Sequence, residues 1–499
     1  MNFDLNAFSK NIICENELSD AVVEAVVNGD MLDLYITAKE DKPKFIELEW
    51  SFESDGNLFV LGDAWERSYG ELEFRKLCDN DRFMPWYFAA TDKQGCYCFG
   101  VKTQPNAFIS FKYTAGGIKA VVDCRNGGCG VELSGRKLHL ATFVYKKYNS
   151  VNVYACLCDY CKSLCDNPVL PGERVYGGNN WYYAYGNSSY GEIISDAKVQ
   201  AELAKGIENK PFEVVDDCWQ MYSCKGPWLP NEKFGDMKKL ADEIKEIGAR
   251  PGIWVRLLHN IDSSITDEMR ILRNGERKYL DPTHPDVKAL IKADIERIKN
   301  WGYELLKHDY TTCDLFGNWG SDLEDTITKI DDWSFYDRTK TNAEIVLALY
   351  RLIKEAAGDM YIIGCNTISH LCAGLVHINR IGDDTSGKEW ERTKKMGVNT
   401  LAFRLAQNEA FYMCDADCVG ILEDYIPWEK NKQWLHLLSY SNTPLFVSCT
   451  DKLTAEQKND LKEAYKVYQE NHSFRPVDIF ENLTPSQWEI DGEIINYKW

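Results

Sequence analysis

The sequence predicts an α/β chain: a (β/α)8 TIM barrel preceded by an antiparallel β-sandwich and followed by a short C-terminal β segment. Three observations predict it. The first 170 or so residues carry short strand-like stretches (MLDLYITA, NLFVLG, ELEFRK, YCFGVKT, AFISFKY) separated by clusters of Asp, Asn, Gly and Lys. After PGER at 171–174 the rhythm changes, and strand-like segments alternate with segments of helical period. Eight strand candidates then fall between residues 177 and 449: GGNNWYYAY, FEVVDDCW, RPGIWVR, YELLKHDY, MYIIGCNT, HINRIGDD, AFYMCDAD and TPLFVSC. Their span matches the ~250 residues of an eightfold barrel. The boundaries drawn from these changes are 1–172, 173–450 and 451–499.

Most gaps between the eight segments have room for one helix, and two can be checked by spacing. In DMKKLADEIKEIG, Met237, Leu240, Ala241, Ile244 and Ile247 share a face, Asp236 is placed to cap the start and Gly248 to end it. PDVKALIKADIERIKNWG opens with Pro285 in the first turn and closes with Gly302, with Val287, Leu290, Ile291, Ile295 and Ile298 as its stripe. A doubly wound open sheet is the rival architecture. Against it, no strand runs into a Gly-x-Gly-x-x-Gly turn, and polar residues gather at nearly all the strand ends instead of at one switch point. After residue 450 one amphipathic helix, TAEQKNDLKEAYKVYQ, precedes two or three short strands. These are too few for an independent sheet, so they either pair with other parts of the chain or form an abbreviated module.

Composition narrows the partners. A formal charge of −20 works against a phosphate backbone, so no nucleic acid is expected. No apolar run approaches the eighteen or so residues of a membrane helix, so no membrane is expected either. The start, MNFDLNAFSKNIICENELSD, lacks a secretory pattern, and the eighteen cysteines read as reduced thiols of a cytoplasmic chain. In CLCDYCKSLC, Cys158, Cys161 and Cys165 share a helical face, which fits small buried residues at a seam better than a metal centre. His259, His370 and His377 lack ligand spacing and read as structural or polar-surface residues. No metal and no cofactor is expected.

In a barrel the chemistry sits at the C-terminal ends of the strands. The polar residues there are Asp216, Asp217, Lys307, Asp309, Arg380, Asp383, Asp384, Asp415 and Asp417, with Trp181, Trp219 and Trp254 around them. Aromatic faces beside carboxylates suit a sugar, which stacks through its C–H faces and needs directed acceptors for its hydroxyls. In LLKHDY, alternation puts Lys307 and Asp309 on one side, and a neighbouring cation favours an ionised, nucleophilic carboxylate; the plainer alternative is a structural ion pair. In INRIGDDTS the same parity groups Arg380 with Asp384 and leaves Asp383 as a cap or turn residue. In VDDCWQ, two adjacent acids converging on one ligand require a bend at the strand end; otherwise they form a solvated turn.

Taken in order, VDDCWQ, RPGIWVR, LDPTHPDV, LLKHDY, RIGDDTSGKEW and CDADC resemble glycoside hydrolase family 36, the α-galactosidases, over about residues 175–450. LGDAWERSYGELEFR is similar to the N-terminal sandwich of the same group. The resemblance implies a retaining, exo-acting α-galactosidase without a cofactor, acting on galactose-containing oligosaccharides or glycosides. It implies Asp309 as nucleophile and Asp384 as acid/base. It further implies that Asp216 and Asp217 accept from the galactose O4 and O6 hydroxyls, and that Lys307 and Arg380 bind hydroxyls and steady the carboxylates. Trp181, Trp219 and Trp254 would wall the pocket, and Cys365 would lie near C2. Cys218 departs from the family in standing where many relatives carry glycine. α-N-Acetylgalactosaminidase activity, galactosyl transfer, a Mg²⁺-dependent barrel lyase or isomerase, and a carbohydrate-binding protein without catalysis are the competing functions. A homo-oligomer is compatible with all of them.

Overall fold

The structure is a computed structural model that describes residues 3–16, 18 and 20–499. Its N-terminal part is built from two antiparallel sheets. One, of five strands, is ordered Ser9–Cys14, Pro43–Ser51, Gly117–Asp123, Phe108–Thr114, Met84–Pro85; the other has seven and is centred on Leu138–Tyr148 and Cys96–Val101. Strand alternation turns Leu32, Leu34 and Ile36 inward, all fully buried. Rings interlock between the sheets, Trp50 with Phe99 at 5.2 Å and Phe111 with Phe143 at 6.1 Å.

The second part is a curled parallel sheet. Its order is Met413–Asp415, Ile378–Arg380, Tyr361–Gly364, Leu305–His308, Arg250–Val255, Phe212–Val215, Tyr176–Asn179, Leu445–Ser448, Val419–Gly420. Each of the eight predicted segments contributes, and the segment AFYMCDAD runs on to supply both edges, which are separated in the chain only by residues 416–418. Alternate residues Phe212, Val214, Leu305, Ile363, Ile378, Met413 and Phe446 form one apolar cluster on the inner face. Lys307, Arg380 and Asp415 continue that same parity toward the strand ends.

The two helices anticipated from spacing are present. Met237–Ile247 is capped by Asp236, whose carboxylate accepts from Lys239 N at 3.0 Å, and stops at Gly248 in the left-handed region. Pro285–Asn300 has proline in its first turn. The gap between Tyr361–Gly364 and Ile378–Arg380 departs from expectation: only the single turn Ser369–Cys372 fits in its thirteen residues. The tail also differs from one of its two expected forms. Phe474–Pro476, Gln487–Ile490 and Glu493–Asn496 pair only with one another, and this small sheet is stabilised by docking, with Phe480 against Phe59 and Phe74 of the sandwich. No helix among the described residues is long and apolar enough to cross a membrane.

One short excursion of the sandwich, residues 63–72, reaches the end of the curled sheet. Ser68 N donates to Ile381 O at 2.8 Å and Ser68 O accepts from Asp383 N at 2.9 Å. Beneath it the Arg404 guanidinium donates to both Glu66 O and Ile381 O and pairs with Asp63.

Candidate active site

Strand Leu305–His308 ends by delivering Asp309 to the sheet mouth. The Asp309 amide is held by Val255 O at 3.0 Å, while its carboxylate accepts from Trp254 Nε1 at 3.1 Å and Tyr310 N at 2.6 Å. Tyr310 itself adopts a left-handed φ of 64°, turning the chain sharply away just after the strand end. Lys307 faces the same way as expected, but its ammonium is tied to Asp216 Oδ2 at 2.7 Å and not to Asp309.

Asp384 comes from beyond Ile378–Arg380. Its Oδ1 lies 3.1 Å from Arg380 Nη2 and 3.6 Å from Arg67 Nη1, with 38 % of the side chain exposed. The parity argument thus held for Arg380 and Asp384. Asp383 turns aside to Arg67 and Arg392, at 2.9 and 2.7 Å. Arg380 is itself anchored by Asp417, which also accepts from Tyr182 Oη and from the amide and hydroxyl of Thr385.

Burial and neighbouring charge act differently on the two carboxyls. Burial raises Asp309 above the ordinary carboxylate range against the pull of Arg67 and Lys307, and the negative charge of Asp384 adds to the rise. Burial also works to raise Asp384, but Arg380, Arg67, Lys307 and Arg392 together prevail and leave it low.

The paired acids of VDDCWQ diverge. Asp216, in phase with Phe212 and Val214, turns inward and accepts from Asn179 Nδ2 at 2.8 Å, Lys307 Nζ and the Asp217 amide. Asp217 turns into its own loop: Gln220 Nε2, the Cys224 amide, Ser223 Oγ and Cys224 Sγ all donate to it, at 2.6, 3.0, 3.2 and 2.9 Å. A carboxylate has about four acceptor positions, so Asp217 has none left for a hydroxyl. The chain does bend at residues 217–219, but the bend folds Asp217 into the loop 218–224 instead of bringing it beside Asp216. Cys218 sits at φ 79°, a conformation that favours glycine.

The tryptophans separate as well. Trp181 is half-buried beside Tyr185 and remains available as a wall. Trp254 is 2 % exposed and presents only its N–H, toward Asp309. Trp219 is completely buried, donating to Trp254 O and packing on Trp228 and Trp301, so it supports the wall from behind instead of lining it. Cys365 is buried and lies in the joint field of Asp309, Lys307, Arg380 and Arg67. Of the expected non-catalytic histidines, His370 is buried at the sandwich seam, stacked on Trp86 at 5.2 Å, while burial holds His259 at about 3 and His377 at about 4.

Sequence reasoning missed Arg67 and Glu66. Arg67 packs over Trp319 at 5.4 Å, and the fully buried Glu66 accepts from Tyr69 Oη, Gly320 N and Asn366 Nδ2 at 2.5, 2.8 and 2.5 Å. Both lie in the sandwich excursion, some 240 residues before Asp309, and strand parity says nothing about groups reaching the mouth from another sheet.

No family model and no curated protein matches the chain. Solved structures do. TtGalA, an α-galactosidase from Thermus thermophilus solved with p-nitrophenyl α-D-galactopyranoside, is 15 % identical with a TM-score of 0.64, covering 95 % of this chain and 99 % of that one. The GH36 α-galactosidase AgaA from Geobacillus stearothermophilus, solved with 1-deoxygalactonojirimycin, is 16 % identical with a TM-score of 0.60, covering 97 % and 73 %. The galactosidase domain of the α-galactosidase–sucrose kinase AgaSK is 15 % identical with a TM-score of 0.58, covering 95 % and 74 %. The chain therefore shares the fold of the GH36 α-galactosidases.

Proposed function

We propose that the chain is a retaining, exo-acting α-galactosidase of the GH36 type, and that its curled sheet acts as the expected (β/α)8 barrel with a seventh strand broken at residues 416–418. One observation carries the reading: Asp309 and Asp384 stand at the ends of two strands of one sheet, each in the electrostatic field of the other, with Lys307 and Arg67 acting on both. A retaining glycosidase needs two carboxyls about 5–5.5 Å apart across one glycosidic bond. The ligands of the solved neighbours, α-galactosides in several cases, favour galactose as the sugar.

In this reading ionised Asp309, oriented by Trp254 and the Tyr310 amide, attacks C1 as Asp384 transfers its proton to the glycosidic oxygen. The C1–O bond breaks and a glycosyl ester forms on Asp309. Water then adds to C1 on the same face as the departed group, giving its proton to Asp384 and releasing the Asp309 carboxylate. Two inversions leave the configuration retained. Asp216, Lys307 and Arg380 bind ring hydroxyls, Cys365 lies near C2, and Trp181 provides a stacking face. Asp217 orders the loop 218–224.

Trapping with a mechanism-based 2-deoxy-2-fluorogalactosyl fluoride, followed by peptide mapping, tests the assignment. The label is expected on Asp309, and a label on another residue overturns it. Turnover of only the 2-acetamido nitrophenyl glycoside would move the specificity to N-acetylgalactosamine.

A further inference from the structure

In a protein whose formal charge is −20, residues 270–278, RILRNGERK, hold Arg270, Arg273, Arg277 and Lys278 against the single acid Glu276. They belong to the hairpin of Arg270–Arg273 and Glu276–Leu280, inserted after strand Arg250–Val255. None of the four cations makes an ion pair among the described residues; the three arginines donate to main-chain carbonyls instead. The charges converge on one ring. Lys278 Nζ lies 5.1 Å from the Tyr279 ring centroid, and the guanidinium carbons of Arg256 and Arg273 lie at 5.6 and 5.8 Å. Arg256 is offset by Asp314, at 2.6 Å, but Arg273 and Lys278 are not. Burial together with Arg256, Lys278, Lys225 and Arg270 holds His259, packed edge-on against Tyr279, uncharged down to about pH 3.

Arg273 and Lys278, with Asn274 and Tyr279, line a cavity of about 200 Å³ that also touches Cys313 and Gly317, from the segment following Asp309. Arg273 has one structural task there: Nη1 and Nη2 donate to Leu315 O and Asp314 O, at the end of the short helix Thr311–Phe316. Its remaining donors are uncommitted among the described residues. Burial lowers the guanidinium below its ordinary value, outweighing the pull of Tyr279, Cys313 and Asp314. Gly317 makes room for it, since a Cβ there would come within 2.9 Å of Arg273 Nε.

We propose that this cavity binds a phosphate group, either free phosphate or the phosphate of a sugar monoester. Its volume lies below the ~300–1,000 Å³ of drug-sized ligand sites, so it takes one small group and not an oligosaccharide. Its charge sets the sign: a half-buried guanidinium supplies directed N–H groups and an exposed ammonium a mobile point charge, a pairing that recognises a tetrahedral oxyanion. Glu276, the one acid on the lining, is exposed and pairs with neither cation. Asp216, Lys307, Asp309, Arg380 and Asp384 are all absent from the lining, so the site is separate from the candidate sugar site and does not depend on the galactosidase reading.

Titration calorimetry on the whole protein at fixed ionic strength, with sodium phosphate and glucose 6-phosphate as separate titrants, tests the site. Binding is expected; tighter binding of glucose 6-phosphate assigns the cavity to a sugar monoester, and equal or weaker binding assigns it to free phosphate. Arg273→Gln is expected to weaken binding roughly tenfold or more, through the loss of a charge-assisted pair. Lys278→Glu, at an exposed position with no carboxylate to lose, is expected to weaken it at least as much with Tm unchanged, and so decides the matter even if Arg273→Gln loosens the fold. Binding of neither titrant overturns the proposal, as does binding that Lys278→Glu leaves unchanged.

Discussion

In the proposed mechanism Asp309 and Asp384 divide the work, and substitution should separate them. Asp384→Ala is expected to lower kcat by about 10²–10⁴-fold on substrates with sugar leaving groups and far less on nitrophenyl substrates, which need little protonation. Asp309→Asn should abolish turnover of both. Arg67 is the group to alter for pH dependence. It faces Asp384 together with Arg380, Lys307 and Arg392, and its charge depresses both carboxyls. Removing a cation destabilises the anions, so Arg67→Gln is expected to move both limbs of the kcat/KM profile to higher pH, with Arg67→Lys moving them less. A profile that stays in place would reduce Arg67 to a packing residue. At this scale the sequence was informative wherever alternation governs: Lys307 with Asp309, Arg380 with Asp384. It misled for Asp217, whose hydrogen bonds are made by a loop of no regular period, and for Trp219, because an indole after a strand end looks the same in sequence whether it faces ligand or core.

Among the elements, the end of the sixth predicted segment is the most constrained. A Cβ on Gly382 would meet Met396 O at 2.3 Å and Thr400 Oγ1 at 2.5 Å. Those atoms belong to an irregular helical run with a π-helical stretch at Lys394–Asn399, which presses on the strand end from outside. Gly382→Ala is therefore expected to cost about 1–3 kcal/mol by overpacking, read as a lowered Tm. It should also reduce kcat, since Asp384 lies two residues on. The helices Met237–Ile247 and Pro285–Asn300 were legible from capping residues and stripes because solvent on one face imposes a period. The π-helical stretch was not, because its packing is set by Gly382 and by Trp434, which stands over Gly397, and neither is local in sequence.

For the whole molecule, one buried acidic pair sets a pH dependence unrelated to catalysis. Glu213 points outward from Phe212–Val215 toward helix Tyr190–Leu203, is 1 % exposed, and neither of its carboxylate oxygens has a hydrogen-bond partner among the described residues. Burial raises it well above the usual carboxylate range, and burial pushes neighbouring Asp196 up to about 7. The folded state therefore binds more protons than the unfolded state from roughly pH 4, the ordinary carboxylate value, upward through the folded value of Asp196. Stability should fall as pH rises across that window. Glu213→Gln is expected to flatten the fall, measured as a smaller loss of Tm between pH 5 and 8. The antiparallel sheets and the parallel sheet were legible from periodicity, whereas the association of the two parts was not, since it depends on contacts between residues hundreds apart. Ser68, stitched to Ile381 and Asp383, illustrates what that association entails. Pruning the chain to its curled sheet would strip a counter-charge, Arg67, from the very strand end that carries Asp384, so under the proposed function the smallest active unit is larger than the sheet that bears the acids, and a linker engineered between the two parts would lower activity before it lowered Tm.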